Sequence, residues 1–92
     1  MRLDNLLCKL RAIISAADVV VCLEDGDITV VRGLVKPSFL SDLRDIASAN
    51  GLTKGIIFAY PTGQSHTLSF SRDIPNRVHQ RIRNVWGFHH RA

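Results

Sequence analysis

The chain has 92 residues, enough for one domain and no more. Apolar residues make up 46% of it and no low-complexity tract interrupts them, so a folded core is expected and a disordered chain is excluded. The net charge of +4 hides an uneven split: residues 1–50 hold six Lys/Arg against seven Asp/Glu, whereas residues 51–92 hold six Lys/Arg against Asp73 alone.

Residues 1–17 read as an amphipathic helix. Leu3, Leu6, Leu7, Leu10, Ile13, Ile14 and Ala17 recur at three- and four-residue steps and form one stripe. Asp4, Lys9, Arg11 and Asp18 break the apolar run, so neither a membrane span nor a secretory signal is expected here, and a cytoplasmic location is. Such a segment is also compatible with peripheral contact at a membrane surface. Cys8 and Cys22 show no metal-type spacing, and the expectation is two buried, reduced thiols, with a disulfide between them as the alternative.

Residues 18–51 form a first hairpin-helix unit. Val19 to Leu23 is apolar on both faces and calls for cover on both. Asp25-Gly26 signals a two-residue turn in which both residues need positive φ, and Ile28 to Arg32 returns. Pro37 suits the first turn of the following helix, and Ser38 is a candidate cap. Phe39, Leu40, Leu43, Ile46 and Ala47 form its apolar face, and Asn50-Gly51 stops it.

Residues 52–87 repeat the pattern. Gly55 to Tyr60 runs up, Pro61 to Gln64 turns, and His66 to Ser71 returns with Leu68 and Phe70 inward and Thr67, Ser69 and Ser71 on a wet face. Asp73 is a candidate cap for the last helix and Pro75 opens it. Ile74, Val78, Ile82, Val85 and Trp86 line its apolar stripe, Gly87 ends it, and residues 88–92 make a tail. The expected fold is α+β: an N-terminal helix, then two ββα units whose four strands make one antiparallel sheet with helices packed on it.

Gly33-Leu34-Val35-Lys36-Pro37-Ser38-Phe39-Leu40, Asp45-Ile46-Ala47, Phe70-Ser71-Arg72-Asp73-Ile74-Pro75 and Gln80-Arg81-Ile82-Arg83-Asn84-Val85-Trp86 resemble a family of short bacterial proteins of unknown function, over roughly residues 28–86. Some members begin with a more hydrophobic, membrane-anchoring segment, from which the charged first segment here departs. The resemblance implies the fold and a bacterial origin. It implies no activity, cofactor or catalytic residue.

On the last helix, Arg77 and Arg81 are four apart and share a face, as do His79 and Arg83 on the adjacent one. With Arg72, His89, His90 and Arg91 they form a basic strip able to meet phosphate oxygens. The plainer reading is a solvated face balancing Glu24, Asp25, Asp27, Asp42 and Asp45, and it weighs more, because charged helix faces are usually just soluble. The strand aromatics Phe58, Tyr60 and Phe70 form no open recognition face. The element order is also that of homing endonucleases, but the acidic, glycine-containing interface helix their chemistry needs is missing. His79, His89 and His90 lack the spacing of a metal site, and Ser65, His66 and Asp73 lack a nucleophile elbow. No catalytic, cofactor or metal residue is therefore assigned. The leading expectation is a non-enzymatic binding or assembly module that self-associates as a homodimer, with Val19, Val21 and Leu23 as its contact. The alternative is binding of nucleic acid or another polyanion through Arg72, Arg77, Arg81, Arg83 and Arg91.

Overall fold

A computed structural model of the chain describes Leu10, residues 15–63 and residues 65–90. Its elements are β1 (Val19–Glu24), β2 (Asp27–Arg32), α1 (Pro37–Asn50), β3 (Lys54–Thr62), β4 (Ser65–Phe70) and α2 (Asn76–His89). The strands form one antiparallel sheet in the order β2-β1-β3-β4, so β1 and β3 are central and β2 and β4 are edges.

The α+β class and the paired ββα units stand, but the expected arrangement is corrected. Among the described elements the first helix follows β1 and β2 instead of opening the chain. Residues 15–17 carry no helix, because their backbone is committed elsewhere. Arg32 Nη1 donates to the carbonyls of Ser15 and Ala17, both at 3.0 Å, and Asp18 N–H donates to the Ala59 carbonyl at 2.9 Å. These bonds fasten the approach to β1 onto the sheet. Residues 1–9 and 11–14 of the expected helix lie outside the described residues.

The first turn is as its residues demand: Asp25 has φ 50° and Gly26 φ 84°, closing a hairpin that pairs Glu24 with Asp27. In the second hairpin the strands run further than expected, to Thr62 and from Ser65. Pro61 is tolerated inside β3 because the pairing with β1 ends at Ala59, so the ring removes no ladder bond on that side.

The register sorts the side chains by face. Val21 opposes Val30 and Ile57, and Ala59 opposes Val19 and Leu68. These residues form the main core with Phe39, Leu43 and Ile46 of α1 and Val78, Ile82 and Trp86 of α2. Each large apolar side chain buried this way contributes about 1.5–3 kcal/mol. Val20, Cys22, Ile56 and Phe58 point to the opposite face and form a second buried cluster with Ala17. Both faces of β1 are therefore buried within one chain. Cys22 is disulfide-bonded, which overturns the expectation of a reduced thiol there; the other cysteine, Cys8, lies outside the described residues.

Three local expectations also change. Ser38 does not cap α1, whose N-cap is Lys36 without a side-chain bond; its hydroxyl meets His89 Nδ1 at 3.0 Å. Asp73 does not cap α2, which starts after Pro75; it pairs with Lys54 at 3.7 Å. Ser71 is buried, not wet, because its Oγ accepts the N–H of Ile56 at 2.9 Å. The C-terminus of α1 is as expected, with Gly51 in the left-handed region at φ 66°.

Candidate functional site

The seam between the edge strand β4 and α2 brings polar and aromatic side chains together around a groove. His66 shares its face of β4 with Leu68 and Phe70, which turns all three toward α2. Leu68 goes into the core, whereas His66 stops at the rim, with its ring edge-to-face against Trp86 at 5.6 Å. Trp86 stacks on His90 at 3.9 Å and packs edge-on to Phe39 at 5.1 Å. A groove of about 900 Å³ opens over this cluster. Ser65, His66 and Thr67 line one wall, and Arg83, Asn84, Trp86, Phe88 and His90 line the other. None of its lining residues is an acid; Asp18 stands behind one of them, 3.4 Å from His66 Nε2.

The end of α2 is fixed by its histidines. His89 Nε2–H donates to Asp42 at 2.6 Å and so ties α2 to α1. His90 Nδ1–H donates to the Trp86 carbonyl at 3.1 Å, and its Nε2 accepts the Lys36 N–H at 3.4 Å. Those two bonds fit a neutral imidazole. Burial, the largest influence, holds His90 below the usual histidine range, aided by Lys36, His89 and His66 and opposed by the Trp86 carbonyl. The last turn is thereby held in place, and α2 runs through Gly87 to His89, two residues past the expected stop.

A second recess, of about 430 Å³, lies further along the same seam, with Phe70, Arg72, Asn76 and His79 among its lining residues. Phe70 stands between the two. His79 stacks on its ring at 4.1 Å and 16°, and Arg83 lies 5.2 Å from the ring centroid, within cation–π range. His79 is oriented by donating from Nε2 to the Ile74 carbonyl at 2.8 Å.

The arginines singled out from the sequence do not act as one strip. Arg83 joins the large groove and Arg72 the second recess. Arg81 turns toward α1, into a recess shared with Asp42 and Asp45, as a charge-balancing face requires. Arg77 reaches the C-terminal end of α1, where Nη2 donates to the Asn50 carbonyl at 3.4 Å. Arg91 lies outside the described residues. Val19, Val21 and Leu23 are all buried in the main core beneath the helices. Ser65, His66 and Asp73 do not converge, since the carboxylate beside His66 is Asp18 and Asp73 belongs to Lys54. Among the described residues no three His, Cys, Asp or Glu cluster closely enough to hold a metal ion.

Sequence reasoning missed the groove itself. Trp86 read as core and His90 as tail, and their four-residue spacing was the available signal, because it stacks the rings once the helix continues past Gly87.

The profile of a family described as a protein of unknown function, DUF3634, matches residues 6–92. The chain belongs to this family. The match takes in both ββα units and both walls of the groove, and it reaches beyond the span over which the sequence resemblance was drawn. No curated protein and no solved structure matches the chain. Among the described residues, no helix of this DUF3634 chain is long and apolar enough to cross a membrane.

Proposed function

We propose that the chain is a non-enzymatic binding module that takes a phosphate-bearing ligand in the groove between β4 and α2. One observation carries this reading: Arg83, His66, His90 and Asn84 converge there with Trp86 and the exposed ring of Phe88, and no acid lines the space. A guanidinium fork suits phosphate oxygens, and the exposed ring of Phe88 suits a planar group attached to them. Self-association draws less support, because the strand that motivated it is covered on both faces within its own chain.

The chain's single tryptophan is Trp86, so binding in the groove reports on itself. Titration of the protein with a mononucleotide and with a labelled oligonucleotide at low salt should change Trp86 fluorescence saturably, and the affinity should fall as salt rises. R83A should weaken binding about tenfold, the worth of one charged hydrogen bond, whereas R81A should leave it unchanged. If neither probe perturbs the fluorescence or anisotropy at high micromolar concentration, the reading is wrong.

A further inference from the structure

We infer that the ligand is a single-stranded nucleic acid lying lengthwise along the β4–α2 seam. This rests on the phosphate-binding reading of the groove and extends it to the second recess.

Three observations converge. The two recesses are not independent, because Phe70 and its partners form the partition between them: Arg83 faces the first recess and His79 the second, with the Phe70 ring between. Cations and rings alternate along the seam, from Phe88 and Trp86 through Arg83 and Phe70 to His79 and Arg72. No acid lines either recess, whereas the recess on the α1 side of the same helix contains Asp42 and Asp45. Arg83 and Arg72 are thus open to a ligand on one side of α2, whereas Arg81 on the other side faces acids.

Length then selects the ligand class. From His79 to Phe88 the helix advances nine residues, about 14 Å at 1.5 Å per residue. Contact at Phe88 and at Arg72 together calls for a ligand with more than one phosphate and more than one ring. A duplex fits poorly, because its bases are stacked on one another and leave nothing for Phe88 to meet. An unpaired strand presents every base face, and stacking on protein rings tolerates any sequence.

The test is a length series on the intact chain: a mononucleotide, then deoxythymidine and uridine oligonucleotides of about four and about twelve residues, which bracket known single-strand site sizes, and a duplex of matching length. Affinity should rise with strand length, and the duplex should bind at least about tenfold more weakly. F88A and R72A should each weaken the longer strand about fivefold or more. R72A should leave mononucleotide binding unchanged. Both side chains are exposed, so melting curves of the two variants should overlay the parent and separate lost contacts from lost fold. Equal affinity for mononucleotide and strand, an unweakened duplex, or an R72A variant that binds the strand normally would each overturn the inference while leaving a small-ligand groove intact. Silence from every probe would remove that groove reading as well.

Discussion

Gly55 shows how one residue sets the geometry of the seam. It sits at φ 151°, and a Cβ built there would lie 2.5 Å from Cγ1 of Ile74, whose side chain is itself fully buried and has nowhere to retreat. The close approach seats Ile74 on β3 just before α2 begins, so the entry of the helix depends on an absent methyl group. G55A should cost about 1–3 kcal/mol by overpacking. Chemical denaturation of G55A, I74A and the double variant should show strong coupling, because removing the Ile74 side chain frees the space that the new methyl needs. Additive losses would show that the strain is held elsewhere. From the sequence, Gly55 and Ile74 were a strand start and the first residue of a helical stripe. Their contact spans nineteen positions and is set by the packing of α2 across the sheet, which no local pattern encodes.

At the scale of elements, α2 is defined at both ends by tertiary contacts more than by capping side chains. Its apolar stripe of Val78, Ile82, Val85 and Trp86 was legible because burial on one face imposes a three-to-four-residue period. Its end was not legible, because Gly87 is a common stop signal and the bonds of His89 to Asp42 and Ser38 and of His90 to Trp86 and Lys36, all tertiary or past the glycine, hold the helix beyond it. Those bonds make the last turn sensitive to acid. The folded His90 sits below the ordinary value of 6.5, so the unfolded chain binds the extra proton more readily. The stability owed to neutral His90 is therefore fully present above about pH 6.5 and is lost as the pH falls through the lower, folded value. Thermal midpoints measured across that range should fall with pH, and H90Q should flatten the dependence. A slope unchanged in H90Q would assign it to other groups.

For the whole molecule, the sheet is buried on two faces of different kinds. One face packs against two helices, and the other holds Val20, Ile56 and Phe58 with Cys22, which is disulfide-bonded. A disulfide in a chain this small stabilises by about 2–4 kcal/mol. Reductant should therefore lower the thermal midpoint, and thiol titration of the unfolded, unreduced protein should find no free thiol; reactive thiols would contradict the bond. The sequence by itself determined the two ββα units, the Asp25-Gly26 turn, the Gly51 stop and the apolar stripes of both helices, because each follows from local dihedral preference or from the period of burial. It also located the positive excess in the second half of the chain. Only the tertiary structure decided which arginines share a surface. Arg81 and Arg83 are two residues apart, yet a helix sends them to different sides, one toward the acids of α1 and the other to the groove that β4 completes with His66. A groove assembled from a strand edge and a helix depends on how those elements are placed across the core, and that placement is set by long-range packing that the order of residues along either element does not contain.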